Sequence, residues 1–291
     1  MTRTRTTVAG GVSLAELRVW MLLVAGFAYW GNVVRTARSD GAAGLGYVLD
    51  GVLQNGAFAA ASWALIVAWA AGAGPARRAS AGQIAAAAAL CLLGAMPSRQ
   101  TAILVLIGLG VQLARPAGTR TGRKVAVLLF ALAFDSAWTS PYLLALHAAV
   151  ATLDARAVQG LLHAAGVGAG RYGNLIAGAT PGFGIEILAR CASSYPFGGV
   201  CLAFVVTLLY QGRLPRRRDL PWLVASLAAS VVLTEVRLSW MALGDADYLW
   251  LHEGSGVTLY TLAAVACAVL FPLLAARGGG RAGGSRVGAG A

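Results

Sequence analysis

Three residues stand out by type and spacing. Cys191, Arg237 and His252 supply a thiol, a guanidinium and an imidazole, separated by 46 and then 15 residues. Together they make a set for acyl transfer. An imidazole titrating near neutrality deprotonates a thiol or protonates a leaving amine. The thiolate is the nucleophile, and adjacent positive charge favours it. A fixed guanidinium stabilises the oxyanion of a tetrahedral intermediate. Each residue also has a plainer reading. A cysteine in an apolar segment is ordinarily a small packing residue, which suits Cys91, Cys201 and Cys267; Cys191 differs in sitting at a segment boundary beside Arg190. An arginine within an apolar span faces the bundle interior and finds a carboxylate there, Glu235 or Asp135. Glu235, two positions away, points to a different helix face. His252 taken alone is an ordinary interfacial histidine.

The elements that must hold these groups are apolar. The chain has 291 residues, of which 58% are hydrophobic and 12% charged, with a mean hydropathy of +0.70. An ordinary soluble domain carries about a quarter charged residues. Disorder is excluded by the same balance. Apolar length predicts an all-α polytopic membrane protein with about eight spans, roughly 16–35, 52–73, 82–96, 99–115, 124–146, 195–212, 220–243 and 256–276. Arg3 and Arg5 precede a long, Trp-containing first stretch that is followed by Arg35 and Arg38, which reads as an uncleaved anchor.

The charge of +12 would suggest nucleic acid in a soluble protein. Here the basic residues lie in short loops, where they set topology, so no nucleic-acid partner is expected. With the N-terminus inside, fifteen of the 23 Lys and Arg fall in inner segments and six in outer ones. The runs 115–124 and 213–218 are both inside, giving N-in, C-in. That topology puts Cys191 before the sixth span, Arg237 roughly 9 Å into the seventh from its outer end at 1.5 Å per residue, and His252 in the outer loop before the eighth. All three then meet at the outer membrane face.

Residues 151–194 are not membrane-like. Val150, Leu153, Ala157, Val158, Leu161 and Leu162 recur at helical spacing, with Asp154, Arg156, Gln159 and His163 between them, as in an amphipathic helix on the outer surface. Residues 166–173 read as a turn region, and 183–189 as a short β-like run leading to Cys191. This divides the chain into N-terminal spans (1–150), an extracytoplasmic segment (151–194), C-terminal spans with the candidate site (195–276) and a disordered cytoplasmic tail (277–291). The four cysteines form no CxxC, so no zinc site is expected. The glycines at 166–170 lack a strand–helix setting, 118–124 has the wrong spacing for a P-loop, and neither GxSxG nor HExxH occurs.

From about Ser140 to Phe271 the sequence resembles the exosortase/archaeosortase family of membrane transpeptidases. The resemblance rests on ordered features: Ser140-Pro141, Leu161-Leu162, Gly166-Val-Gly, Arg171-Tyr-Gly-Asn174, Pro181-Gly-Phe-Gly-Ile-Glu-Ile-Leu188, Ala189-Arg-Cys-Ala-Ser193, Thr234-Glu-Val-Arg-Leu238 and His252-Glu-Gly254. The family's cysteine, arginine and histidine map onto Cys191, Arg237 and His252. This sequence departs from the family in Ala-Ser after Cys191 instead of Ser-Gly, and in Thr234 where asparagine is usual. The resemblance implies a cysteine protease or transpeptidase of the bacterial inner membrane, with its site on the extracytoplasmic side. Its partners would be exported proteins ending in a short motif such as Pro-Glu-Pro, a transmembrane helix and a basic tail. Membrane lipids surround it, a thioester passes to water or an unknown acceptor nucleophile, and no cofactor or metal is needed. The alternative is a non-catalytic transporter or scaffold subunit of envelope polysaccharide export, with Asp135, Glu235 and Arg237 lining a polar path.

Overall fold

The computed structural model describes residues 14–39, 58–69, 79–96, 98–114 and 119–280. It is all-α apart from one small sheet: α1 (Leu14–Ser39), α2 (Phe58–Trp69), α3 (Ala81–Ala95), α4 (Arg99–Ala114), α5 (Arg120–Trp138), α6 (Leu144–Ala164), α7 (Phe197–Tyr210), α8 (Leu220–Met241), α9 (Asp245–His252) and α10 (Ser255–Gly280). The chain forms two compact units, Met1–Ala133 and Phe134–Ala291. The expected disordered tail lies, beyond residue 280, outside the described residues, as do parts of the second expected span.

In the first unit α1, α3 and α4 pack on one another. Small residues permit the approach: a Cβ on Gly94 would come within 2.7 Å of Val24 Cγ1, and one on Gly108 within 2.7 Å of Leu90 Cδ2. Ser80 starts α3 with a capping box, its hydroxyl taking the Gln83 N–H while the Gln83 side chain takes the Ser80 N–H.

Two described helical segments, Arg217–Met241 and Ser255–Arg277, are long and apolar enough to cross a membrane. Among the described residues the eight expected spans are not found. The helices α2, α3, α4 and α7 are apolar but only 10–17 residues long, against the ~20 residues that cover a bilayer core. The expected fifth span, 124–146, is interrupted: α5 ends at Trp138, Pro141 opens a 3₁₀ turn, and the chain bends by 56° into α6. Proline there lacks an N–H to continue the ladder. Hydropathy does not register the bend because both flanks are apolar.

In the second unit α6, α8, α9 and the sheet enclose a buried cluster that includes Ala151, Val158, Ile176, Ile185, Ile187, Leu238 and Leu251. The sheet is antiparallel, ordered β1 (Gly170–Tyr172), β2 (Leu175–Ala177), β3 (Gly184–Glu186). A two-residue Gly173-Asn174 loop joins the first two strands. Gly173 has φ +65°, a value glycine supplies at the first loop position of a hairpin turn without steric cost. Of the three strands only β3, within the run at 183–189, was legible; β1 lies in the stretch read as a turn and β2 just beyond it.

α6 is helical as expected, but its buried stripe is His147, Ala151, Asp154, Ala155, Val158 and Leu162. Leu153 and Leu161, expected on the apolar face, are exposed. Asp154 is inside because the chain brings it a partner, described below. On the inner side of the proposed topology, Asp219 is held by both Nη atoms of Arg213 at 3.0 Å and by the Arg216 N–H at 2.7 Å, which fixes the basic loop between α7 and α8.

α7 leaves no room beside the end of α5. A Cβ on Gly198 would lie 2.8 Å from Asp135 Oδ1 and 3.0 Å from its Cα, whereas one on Gly199 meets nothing closer than 4.0 Å. Gly198→Ala is therefore expected to destabilise the full chain by about 1–3 kcal/mol, as overpacking against backbone does, and Gly199→Ala to change little. Thermal unfolding of the purified protein in detergent checks the pair.

Candidate active site

Cys191 closes the 3₁₀ turn Ala189–Cys191 that follows β3, its N–H donating to Leu188 O at 2.8 Å. The side chain is half-buried and packs against the cluster of α6, sheet and α8 residues.

What holds this turn comes next in the chain. The Ser193 N–H donates to Asp154 Oδ2 at 2.7 Å and the Ser193 hydroxyl to Asp154 Oδ1 at 2.8 Å. Asp154 is 4% exposed and Ser193 likewise. A buried carboxylate taking two such donors is a strong, directional contact. One residue on, the Ser194 hydroxyl meets His147 Nδ1 at 2.9 Å, and His147 Nε2 meets Trp138 O at 3.0 Å. A carbonyl only accepts, so Nε2 carries the proton; in the neutral ring Nδ1 then accepts from Ser194. Trp138 Nε1 returns a bond to Ser194 O at 2.7 Å, and its ring stacks on Phe197. His147 is fully buried.

Asp154 has a second neighbour. The Glu235 carboxyl of α8 interacts with it; Glu235 is itself buried, and its Oε2 has no hydrogen-bond partner. Two residues further, Arg237 meets an aromatic ring and a backbone carbonyl. Its guanidinium lies 4.5 Å from the centre of the Tyr260 ring, a cation–π contact, and Nη2 donates to Leu251 O at 3.2 Å. Tyr260 is fixed in turn by a 3.1 Å bond between its hydroxyl and Thr234 Oγ1. Arg237 Nε is buried and has no hydrogen-bond partner, so the guanidinium keeps donor capacity. Glu235 and Arg237 thus face different partners.

His252 is the last residue of α9, not part of a loop, and is exposed. Its ring stacks on Tyr248 with centroids 4.9 Å apart and planes 12° from parallel. Tyr248 in turn meets Phe183, which precedes β3.

The three sequence-selected residues therefore border one cluster. Cys191 packs against it, while Leu238 and Leu251, the chain neighbours of Arg237 and His252, lie within it. No hydrogen bond links the three to one another. Catalytic contacts commonly tighten only around bound substrate. Sequence reasoning missed His147, Ser193 and Ser194, and placed Asp154 on the wrong face. The available signal was the spacing of His147, Ala151, Asp154 and Val158, which share one helical stripe once Asp154 is allowed inside.

No family model, curated protein or solved structure matches this chain, and the geometry is what bears on function.

If Asp154 organises the segment after Cys191, Asp154→Ala and Ser193→Ala should be coupled. A double-mutant cycle on thermal unfolding is expected to return about 1.5–3 kcal/mol, the range for hydrogen bonds to a charged group. Additive losses would mean that the carboxylate and the serine act independently.

Proposed function

We propose that this chain is an exosortase-like membrane cysteine protease or transpeptidase. The observation that carries the reading is the gathering of Cys191, Arg237 and the α9 terminus with His252 around one cluster. The family resemblance supports it independently of the coordinates. In this reading the short apolar helices complete the spans, the N- and C-termini are cytoplasmic, and the site lies at the outer face of the inner membrane.

The substrate is an exported protein whose C-terminal signal combines a motif, a transmembrane helix and a basic tail. Basic residues held on the inner side would leave the scissile bond near the outer surface. His252 takes the Cys191 proton, and the thiolate adds to the scissile carbonyl. The new oxyanion receives hydrogen bonds from Arg237, whose planar fork is only partly used by Leu251 O. Collapse breaks the C–N bond, His252 returns the proton to the leaving amine, and a thioester remains on Cys191. Water or an envelope nucleophile then resolves it. The Tyr248 ring would hold the imidazole at the edge of the site.

All four cysteines are half-buried, so exposure alone does not favour one of them. A nucleophilic Cys191 is expected to react with an activity-based thiol probe well ahead of Cys91, Cys201 and Cys267, and Cys191→Ala to abolish processing. Equal labelling of the four would remove the enzyme reading.

Arg237→Lys keeps charge but loses the fork. It should cost roughly a hundred- to a thousandfold in rate, as loss of an oxyanion donor does, yet still allow some acyl-enzyme to form. His252→Ala should respond in part to added imidazole, and Arg237→Lys should not. Processing of a tagged substrate in membranes, with and without imidazole, separates the two roles; wild-type activity in either variant takes that residue out of the mechanism.

A further inference from the structure

Among the described residues β3 is an edge strand whose outer side faces no other strand. The ladder fixes which of its backbone groups are spent. Gly178 N donates to Phe183 O at 2.8 Å, Ile187 N donates to Asn174 O at 3.0 Å, and Ile185 sits opposite Ile176. Phe183, Ile185 and Ile187 thus turn toward β2. Gly184 and Glu186 occupy the alternate positions, so their N–H and C=O groups point outward. Both residues are exposed.

We propose that this edge is the docking site for the substrate's extended segment, which adds to β3 as a fourth strand and is carried by it to Cys191. The proposal rests on the reading of Cys191 as the nucleophile, and it names the recognised feature: an extended polypeptide backbone rather than a folded surface or a lipid.

Four observations select this occupant. The edge presents two donors and two acceptors at strand spacing, the pattern by which a peptide adds to a sheet. The strand is rigid, because Ile185 and Ile187 are anchored in the core at 5% and 0% exposure. It leads directly to the nucleophile: the chain runs from Glu186 through Ile187 and Leu188 into the turn that ends at Cys191. At about 3.3 Å per residue, a peptide paired with Glu186 reaches that turn within a few further residues. The other end is marked by Phe183, which touches Tyr248, on which His252 stacks. The paired peptide would therefore lie along a strand flanked by the elements that carry the thiol and the imidazole. The outward face adds exposed apolar side chains, Leu175 and Leu188, for alternate residues of the peptide.

Backbone recognition has a specific signature. Glu186→Pro deletes one outward N–H and leaves the bonds to β2 untouched, which edge strands tolerate. Glu186→Ala deletes the same carboxylate and keeps the N–H, so the two variants isolate the donor. The test uses the full chain in membranes. Its probe is a reporter ending in a ten-residue extended segment with the Pro-Glu-Pro motif, an apolar helix of transmembrane length and an arginine tail. Processing by Glu186→Pro is expected to fall about tenfold or more below that of Glu186→Ala, through KM, as loss of a hydrogen bond at a binding edge would produce. Cys191 alkylation at equal rates in both variants shows that the turn still folds. In a Cys191→Ala, Glu186→Cys background, single cysteines walked along the reporter segment should form disulfides with period two, since side chains alternate across a strand.

Equal processing by the proline and alanine variants, or cross-linking without that period, overturns the strand-addition proposal while leaving the enzyme reading in place. A reporter that the wild-type protein does not cut and the Glu186→Cys variant does not cross-link overturns both. Period-two cross-linking by that variant, with no cleavage by the wild-type protein, upholds the docking edge and rejects the nucleophile.

Discussion

The arrangement of the second unit depends on one buried carboxylate. Asp154 is buried on α6 and accepts from the N–H and the hydroxyl of Ser193. A buried carboxyl of this kind is costly unless its lone pairs are filled. The requirement runs in both directions. The helix needs the turn after Cys191 to supply donors, and the turn has its direction set by the helix. Glu235 on the far side brings α8 into the same contact, two residues before Arg237. The turn after Cys191, α6 and α8 therefore meet at a single polar point beside an apolar cluster.

Around that point the polar groups divide into two kinds. His147, Ser194 and Trp138 close a ring of bonds in which each partner is used, and such satisfied networks make a core specific and stiff. Arg237 Nε and Glu235 Oε2, by contrast, are buried without a bond. The closed ring follows Cys191 in the chain, and the unspent guanidinium belongs to α8.

Hydropathy made α8 and α10 legible as spans, and residue type alone singled out Cys191, Arg237 and His252 as candidates, while α9 was read as a loop. Two features were not legible. The bend at Thr139–Ser140 lies between apolar flanks, so window averages pass over it; the proline was its only local sign. Asp154 defied the apolar period because a buried acid looks like a surface residue until its partner is known, and Ser193 is 39 residues away. The strands β1 and β2 were hidden for a related reason. Three-residue strands carry almost no periodicity, and the Gly-Asn loop between them was the stronger signal.

The bond from His147 to Trp138 O crosses the bend between α5 and α6. The acceptor is a carbonyl at the very end of α5, which a continuous helix would have spent on its own ladder four residues on. The interruption thus creates the group that the histidine needs. It also ties the length of the connection to rotational phase. His147 and Asp154 are seven residues apart, close to two full helical turns, so they share a heading toward the serines. Adding one residue between Trp138 and His147 would rotate both by about 100° together, aiming the imidazole and the carboxylate away at a stroke. The connection is accordingly constrained in its residue count more tightly than in its composition, and length variation in this protein has no room at that corner.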